Sequence, residues 1–459
     1  MTVWFDVEDL FHYVQTGHRR TSGIQRLTVE IYRAAHALDA GRGEVRFVRH
    51  GTGPDLFTPV AWDEIAAQFA RQAEAGSTAP ARPQAGRQTA RRLASRLPDE
   101  LRKPLVAAAV MQAQTAGELG RFGWNLLRPR PRRRARTQEP AGPGFGELAQ
   151  PGDTLLVLGS PWFRQDYGAI ARWLRDERRM RFGLLVHDLV PIRRPEWSHI
   201  GITRTFEDWY AAVLPFCDFI LANSRHTAAD VEAYTRETGI ALAGPVQPVP
   251  VGAGFGPDGD GEEPGHAGLP TPGSYVLFVS TMEARKNHAL VVRIWTALLA
   301  EVRAGRRAAE TVPDLVFAGR IGWLVADLVQ QLDNVDWLGG RIRLVTNPTD
   351  GELRALYAGC LFTVFPSFHE GWGLPVTESL AAGKPCLCSD AAALPEAGGA
   401  LCRYFDPENL PAAYAAVCAV IDDRAGLAEW EARVRREFRP VPWAETAAAV
   451  LEAAARRGA

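Results

Sequence analysis

Two glutamates, Glu370 and Glu378, lie eight positions apart in the segment FHEGWGLPVTES, residues 368–379. Carboxylates on either side of such a segment can accept hydrogen bonds from the paired hydroxyls of two different sugar rings. Between them, Gly371 and Gly373 would let the backbone come close to a ligand, and the free N–H groups that precede a helix favour bound negative charge. The segment therefore predicts an extended ligand with phosphate in the middle and a sugar at each end.

The neighbouring sequence indicates how these carboxylates are positioned. The apolar run at residues 361–367 is typical of a buried strand, and a helix is predicted from about Pro375, with proline in its first turn. Glu370 is then on the strand-to-helix loop and Glu378 about one turn inside the helix. Because eight residues of a continuous helix span about 12 Å and the two side chains would point about 80° apart, they are not expected to share one proton.

A pair of cations, Arg285 and Lys286, follows a second apolar strand and precedes a predicted helix at residues 288–303. The helix dipole disfavours positive charge at this end of a helix. An anion that compensates the two charges would explain their place, and a departing diphosphate is such an anion. Solvated residues at the start of a helix are the alternative interpretation.

Polar residues also follow strand-like runs in the first half of the chain. His187 and Asp188 come at the carboxyl end of an apolar run, and Asn223 and Arg225 stand where another run passes into a helix. Ligands bind at the carboxyl ends of strands in open α/β sheets, which favours a functional role. The alternatives are a core histidine for His187 and a helix cap for the segment that contains Asn223 and Arg225. Gly23, on the loop after the first strand, could be functional or a plain helix-entry glycine.

Short apolar runs alternate with longer amphipathic ones along the whole chain, a pattern that predicts an α/β protein with parallel sheets covered by helices. The predicted strands are residues 2–7, 45–50, 153–160, 183–189, 219–224, 275–280, 314–319, 361–367 and 385–390. The predicted helices include residues 24–38, 224–237, 288–303, 351–359 and 375–382.

A length of 459 residues predicts two domains. The boundaries are an N-terminal domain at 1–251 with an insertion at 78–145, a linker at 252–274, a C-terminal domain at 275–440 and a final helix at 441–459 that could pack back across the domain junction. The linker contains Asp258 and Asp260, but a metal clamp for diphosphates needs a rigid strand end. The Gly- and Pro-rich context of this pair favours a plain linker.

The overall composition excludes several classes of protein. Lysine and arginine number 52 against 53 aspartate and glutamate, so charge gives no reason to expect a nucleic-acid partner. No uninterrupted apolar run reaches the length of a membrane span. The acidic N-terminal residues predict a first strand rather than a signal peptide. Six cysteines without a Cys-x-x-Cys pair are interpreted as small buried residues in a reducing cytosol, not as disulfides or a zinc site.

Residues 78–136 differ from the rest, with 14 lysines and arginines against 3 acidic residues. Each basic residue near an anionic bilayer contributes about 1 kcal/mol, so this segment could bind lipid headgroups. A solvated insertion is the alternative. The segment has no aromatic platform that would favour nucleic acid.

The segment FHEGWGLPVTESLAAGKPCLCSD resembles the E-x7-E signature of the retaining glycosyltransferases of family 4, which have the GT-B fold of two Rossmann-like domains facing across a cleft. FVSTMEARKNHALVV at residues 278–292 resembles the family's strand and basic donor-phosphate loop, and GRIGW at 319–323 also matches. In the first half, RTSGIQR at 20–26 and HDLVP at 187–191 agree in order and spacing.

The resemblance implies a role for each matching residue. Glu370 would contact the donor sugar, Glu378 the ribose, and Arg285 and Lys286 the diphosphate, with His187 completing the catalytic set. Further donor contacts would be Gly23, Gly371, Trp372, Gly373, Leu374, Gly319 and Arg320. The acceptor or sugar pocket would include His369, Asp188, Asn223 and Arg225.

The implied reaction is retaining glycosyl transfer without a metal or other cofactor. The acceptor hydroxyl would attack from the leaving group's side, and a diphosphate oxygen would take its proton. Mannose from GDP-mannose, moved to a glycan or polyprenyl-linked glycan in surface polysaccharide synthesis, is the first expectation, with the protein in the cytoplasm and peripheral on the inner membrane face. UDP- or dTDP-sugar transfer, including rhamnosyl transfer, remains open, as do a nucleotide-sugar 2-epimerase and an inactive scaffold homologue.

Overall fold

The structure is a computed structural model that describes residues 1–15, 23–51, 56–74, 143–164, 166–254 and 268–456. Most of the basic insertion predicted at 78–145 and most of the linker predicted at 252–274, including Asp258 and Asp260, lie outside the described residues. The expected lipid-binding segment, 78–136, lies outside them as well.

Thirteen strands are present in the described part of the chain. They are β1 Val3–Asp6, β2 Val45–His50, β3 Phe57–Val60, β4 Thr154–Val157, β5 Arg181–Val186, β6 Phe219–Ala222, β7 Gln247–Pro248, β8 Tyr275–Val279, β9 Asp314–Gly319, β10 Ile342–Thr346, β11 Thr363–Phe365, β12 Cys386–Ser389 and β13 Arg403–Phe405.

The helices of the first half are α1 Glu8–Gln15, α2 Gly23–Asp39, α3 Trp62–Glu74, α4 Phe145–Leu148, α5 Tyr167–Asp176, α6 Val190–Arg193, α7 Ile200–Val213 and α8 Arg225–Thr238. Those of the second half are α9 His288–Arg303, α10 Ala326–Asn334, α11 Asp336–Gly339, α12 Asp350–Gly359, α13 Leu374–Ala381, α14 Leu394–Gly398, α15 Leu410–Asp422, α16 Arg424–Glu437 and α17 Trp443–Ala455. Several short 3₁₀ turns join these elements.

The strands form two sheets, one in each half of the chain, and we call the two halves the N-lobe and the C-lobe. The N-lobe sheet has the order β3-β2-β1-β4-β5-β6-β7 and is parallel except for β3, which pairs antiparallel with β2. The C-lobe sheet, β10-β9-β8-β11-β12-β13, is parallel throughout. Both have the strand order of a doubly wound dinucleotide-binding fold, which confirms the two Rossmann-like domains predicted from the sequence.

Four strands were not predicted, and they are the outermost strands of the two sheets. They are β3, β7, β10 and β13, and no more than two residues of each are buried. An edge strand packs against one neighbour only, so it needs no continuous apolar run. The pattern that identified the central strands is therefore absent at the edges.

The last helix, α17, crosses back to the N-lobe, as predicted. Its Ala447 and Val450 are buried in the same cluster as Phe5 and Tyr32 of that lobe. Near its end, the carbonyl oxygen of Ala454 accepts a hydrogen bond of 2.8 Å from Arg181 of β5. Helix α17, near the C-terminal end of the described chain, therefore packs against the N-lobe.

Phe145 corrects one predicted boundary. The insertion was expected to extend to this residue, but its ring lies 5.0 Å from that of Trp4 and 5.1 Å from that of Phe57, inside the N-lobe core. An apolar ring of this size needs a buried site, so α4 belongs to the lobe.

All six cysteines are free, five of them buried and Cys418 partly buried, in agreement with the interpretation as small core residues. In the part of the chain that the structure describes, no helix combines the length and the apolar character that crossing a bilayer requires.

Candidate active site between the lobes

The C-lobe places two cations in a short turn between β8 and α9. Residues Ala284–Lys286 form a 3₁₀ turn, and Asn287 follows with a left-handed φ of 58°, so that α9 begins only at His288. Arg285 and Lys286 are therefore outside the helix, and their side chains are only 17% and 13% exposed. This excludes the interpretation as solvated helix-start residues.

Both cations converge on Glu370, which stands on the loop between β11 and α13. Arg285 Nη1 lies 2.8 Å from Glu370 Oε2, and Lys286 Nζ lies 2.6 Å from Oε1. Arg285 also pairs with Glu283 at 2.8 Å and donates to the backbone carbonyl of His369 at 2.6 Å. The structure thus brings together three of the four residues that the sequence analysis placed at the reaction centre.

The charges in this cluster are unequally compensated. Burial alone would raise the pKa of Glu370, but Arg285 and Lys286 outweigh it and lower that pKa to about 2. Burial also acts against Arg285, yet Glu370 and Glu283 raise its pKa. For Lys286, burial and the neighbouring Arg285 together lower the pKa, although Glu370 and Glu283 act in the opposite direction. An additional anion beside Lys286 would stabilise its charged form.

The low pKa of Glu370 predicts a loss of stability in acid. Its folded-state pKa of about 2 is below the ordinary 4.5, so the stabilisation is complete above pH 4.5 and is lost as the pH falls toward 2. At neutral pH it amounts to about 3 kcal/mol. Denaturant unfolding of the wild type and of Glu370→Gln between pH 7 and pH 2 measures it. The difference between the two proteins should shrink as the pH falls, and a constant difference would contradict the assignment.

Glu378, the second glutamate, is tied to the other lobe. Arg26 of α2 donates from Nη1 to Glu378 Oε1 at 3.0 Å and contacts Asp350 of α12 through Nη2. The hydroxyl of Tyr357 donates to Glu378 Oε2 at 2.8 Å. Sequence reasoning missed Arg26, although it is the last residue of the quoted segment RTSGIQR and lies three positions after Gly23.

Removal of Arg26 should destabilise the junction of the lobes. The Glu378 side chain is 6% exposed, so the variant Arg26→Ala leaves a buried carboxylate without the guanidinium that pairs with it. Breaking a buried pair in this way typically costs about 3 kcal/mol. Thermal and urea unfolding would measure the loss. Arg433→Ala, which removes an exposed pair with Glu437 on α16, is the control and should leave the midpoint unchanged.

The glycines between the two glutamates lie where the lobes touch. A Cβ on Gly371 would lie 1.8 Å from the carbonyl oxygen of His187, which belongs to the N-lobe. The hydroxyl of Thr227 lies 3.3 Å from the carbonyl oxygens of both His187 and Gly371. Gly373 directly precedes α13 and has a φ of 112°, a conformation that favours glycine.

Trp372 and Leu374 have a packing role in this structure. Trp372 packs against the cores of both lobes, and Leu374 packs against the N-lobe core. A Cβ on Gly23 would lie 3.6 Å from Leu374 Cδ1, so the start of α2 faces the start of α13. The predicted glycine loop and the predicted donor helix are therefore neighbours across the junction.

The N-lobe contributes a small cavity beside this junction. His187 and Asp188 follow β5, and with Ile24, Ser160 and Tyr210 they help to line a cavity of about 130 Å³. His187 Nε2 lies 2.7 Å from the carbonyl oxygen of Leu158, which places the proton on Nε2. Burial lowers the pKa of His187, so the ring is neutral and Nδ1 can accept a hydrogen bond.

Other predicted residues are outside the Arg285, Lys286 and Glu370 cluster. Gly319 ends β9, and a Cβ there would lie 2.0 Å from the carbonyl oxygen of Ser280. Arg320 forms a hydrogen bond with Tyr13 of the N-lobe. Asn223 is buried, and its Oδ1 has no hydrogen-bond partner among the described residues. Arg225 is 80% exposed and lies 3.5 Å from Glu396, so the structure does not hold its side chain in the cluster.

Two buried carboxylates near these groups were missed by sequence reasoning. Glu283 pairs with Arg285, as described above. Asp9 of α1 accepts a hydrogen bond of 3.1 Å from Gln25, and burial raises its pKa. The position of Asp9 could have indicated it, because acidic residues directly follow the first apolar strand. The carboxyl end of that strand lies on the same side of the sheet as His187.

Part of the C-lobe matches a known protein family. Residues 273–423, which contain the cationic turn and both glutamates, match the family described as glycosyl transferases group 1. The serotype-specific mannosyltransferase WbdA of Escherichia coli is 29% identical over 283 residues, 58% of this chain and 33% of the relative. The O-antigen chain mannosyltransferase B of E. coli is 30% identical over 169 residues, 37% of this chain and 42% of the relative. The chain thus aligns with about a third to two fifths of the length of these curated relatives.

Among solved structures, Alr3699/HepE of Anabaena in complex with UDP-glucose matches with a TM-score of 0.54. The match covers 99% of this chain and 100% of that one at 15% sequence identity. At this identity the likeness shows the fold, which is the two-lobed GT-B fold of glycosyltransferases. Residues 273–423, which match the family of glycosyl transferases group 1, therefore lie in the second lobe of a chain with the GT-B fold.

Proposed function

We propose that the protein is a retaining glycosyltransferase that takes a hexose from a nucleotide-sugar and moves it to a hydroxyl of a glycan acceptor. The observation that carries the proposal is the convergence of Arg285, Lys286 and Glu370 at the carboxyl ends of the C-lobe strands, next to the N-lobe. Buried cations at this edge of a doubly wound sheet suit the diphosphate of a nucleotide-sugar.

The chemistry of the donor fits the charges. When the bond between the anomeric carbon and the diphosphate oxygen breaks, its electron pair remains on that oxygen, and negative charge grows on the diphosphate. Lys286 has three N–H donors and gives one to Glu370, so it can also donate to a phosphate oxygen. Fixed cations in a site that excludes water stabilise such charge strongly, and we propose that the reaction needs no metal at the diphosphate.

We assign the remaining roles by position. Glu370 accepts hydrogen bonds from the donor sugar. Glu378 accepts hydrogen bonds from the ribose, either beside its ion pair with Arg26 or after that ion pair has broken. The acceptor enters from the N-lobe side, where the cavity beside His187 and Asp188 lies. Its hydroxyl oxygen bonds to the anomeric carbon on the face that the diphosphate leaves, and its proton passes to a diphosphate oxygen.

For the donor, we propose GDP-mannose, and for the acceptor, a glycan of a surface polysaccharide, free or polyprenyl-linked. The support is the similarity to two mannosyltransferases of E. coli, one of which acts on an O-antigen chain by its name. UDP- and dTDP-sugars remain the second candidates, because the Anabaena structure with the same fold holds UDP-glucose.

Thermal unfolding with GDP, UDP and dTDP tests the proposal first, and NMR of the product formed from the preferred nucleotide-sugar tests it second. We expect GDP to raise the midpoint most and the new glycosidic bond to keep the donor's anomeric configuration. Change of the donor sugar in the absence of acceptor would indicate a 2-epimerase instead. No stabilisation by any of the nucleotides would indicate an inactive scaffold.

We further propose that the protein binds the inner face of the cytoplasmic membrane through the basic residues of 78–136, which lie outside the described residues. The support is the excess of 14 lysines and arginines over 3 acidic residues. A deletion of 78–136 should release the protein from vesicles that contain anionic lipid while transfer to a water-soluble acceptor continues. Cosedimentation with vesicles measures this, and equal binding by the deletion variant would contradict the proposal.

A further inference from the structure

A second cluster of polar side chains crosses the junction of the lobes next to Glu370. His226 and Asp230 lie one turn apart on α8 of the N-lobe, and His369 lies on the loop after β11 of the C-lobe. Asp230 Oδ2 is 3.5 Å from His226 Nε2 and 3.6 Å from His369 Nε2. The possible ligand atoms of the three side chains all lie within 4.8 Å of one another.

Hydrogen bonds among the described residues do not account for this cluster. The Nε2 atoms of His226 and His369 are buried, and neither makes a hydrogen bond to any residue in the described ranges. His369 as a whole is 9% exposed. A buried polar atom that loses its water without gaining a partner costs about 1 to 3 kcal/mol, so two such nitrogens aimed at one carboxylate require an explanation.

The chemistry and spacing of the three groups suit a metal ion. Two imidazoles and one carboxylate are a common ligand set for zinc and other divalent transition metals. Around a tetrahedral ion with ligands about 2.1 Å away, neighbouring ligand atoms are about 3.4 Å apart. Both distances to Asp230 are already close to this value, and the ligand atoms of the two histidines lie within 4.8 Å of each other.

The surroundings keep the three ligands in place. Arg193 donates to the backbone carbonyl of Asp230 at 3.0 Å, and its Nε lies 3.9 Å from Oδ1, on the carboxylate oxygen that does not face the histidines. Glu396 of the C-lobe accepts hydrogen bonds of 2.9 and 2.8 Å from the backbone N–H groups of Arg225 and His226. The first turn of α8 is thus fixed to the opposite lobe, and second-sphere contacts of this kind orient metal ligands.

We propose that His226, Asp230 and His369 bind a divalent transition-metal ion, with Zn²⁺ as the best-fitting candidate, and that this ion links the two lobes. The ion takes no part in breaking the sugar–phosphate bond. Because its ligands come from both lobes, it binds to the arrangement in which the lobes are closed and stabilises that arrangement. Because His369 adjoins Glu370, the ion also fixes the loop that carries the proposed sugar contact.

The test is a zinc titration of the full-length, tag-free protein after treatment with a chelator, followed by competition with a chromophoric zinc indicator. We expect one high-affinity Zn²⁺ per chain and a rise in the unfolding midpoint, with no effect of Mg²⁺ at the same concentration. His226→Gln and Asp230→Asn should each lower the affinity at least about tenfold. His36→Gln, at an exposed histidine of α2, is the control and should bind as the wild type does.

Substitution with Co²⁺ supplies a second readout, since four-coordinate cobalt with these ligands has visible absorption bands that both ligand variants should lose. Circular dichroism of each variant confirms that it is folded. Equal zinc affinity in the wild type and both ligand variants, or equal stabilisation by Mg²⁺, would overturn the proposal. These measurements use neither donor nor acceptor, so their outcome is independent of the proposed glycosyl transfer.

Discussion

Replacement of Lys286 with methionine is expected to lower kcat about 100- to 1,000-fold, because it removes a fixed positive charge from the position where the departing diphosphate gains negative charge. Loss of one such contact in a water-excluded site typically costs about 3 to 4 kcal/mol of transition-state stabilisation. Methionine retains most of the length of the side chain, and Arg285 still pairs with Glu370 at 2.8 Å. The loss should therefore appear mainly in kcat, with a smaller rise in the donor KM.

Lys384 offers a matched control for this variant. It is another buried lysine of the C-lobe, 10% exposed, and its Nζ lies 2.9 Å from Glu431. Lys384→Met should lower the unfolding midpoint and leave kcat within about twofold of the wild type. Steady-state kinetics with the donor identified by the nucleotide screen measures both variants. If Lys286→Met and Lys384→Met had the same kcat, the role of Lys286 at the diphosphate would be wrong.

Replacement of Gly371 with alanine is expected to lower kcat/KM at least about 100-fold although it adds one methyl group. The new Cβ would be placed 1.8 Å from the carbonyl oxygen of His187, a backbone atom of the other lobe that cannot rotate away. Either the loop that carries Glu370 moves or the lobes separate. A displacement of about 1 Å of a group that positions the substrate can cost about 100-fold in rate.

Small-angle scattering with saturating nucleotide distinguishes this effect from misfolding. Gly371→Ala should keep its circular dichroism spectrum and show a larger radius of gyration than the wild type. Gly244→Ala, at a glycine whose Cβ would meet no atom within 4 Å, is the control and should match the wild type in both rate and size. Full activity of Gly371→Ala would show that the contact between Gly371 and His187 is not needed for turnover.

The convergence of Arg285, Lys286 and Glu370 could be predicted because it follows from local rules. Each residue stands just after a central strand, and the carboxyl ends of parallel strands meet at one edge of the sheet. The apolar runs that mark those strands are continuous because both faces of the sheet are covered. Position relative to a strand end was therefore enough to bring the three side chains together.

Contacts between the lobes could not be predicted in the same way. Arg26 and Glu378 are separated by 352 positions, and their contact depends on how the two sheets are oriented. His226 and Asp230 have the i,i+4 spacing of one helix face, which the sequence shows, but His369 joins them only through the closure of the lobes. For Arg225 the rule predicted too much. Its position after a strand predicted a place in the site, but its side chain is exposed.

The most direct test of the central claim is a crystal structure of the protein with its preferred nucleoside diphosphate. We expect the β-phosphate within hydrogen-bond distance of Arg285 and Lys286, the ribose hydroxyls at Glu378, and Glu370 facing the space where the sugar was attached. A nucleotide bound elsewhere, with the two cations still paired only to Glu370 and Glu283, would contradict the account.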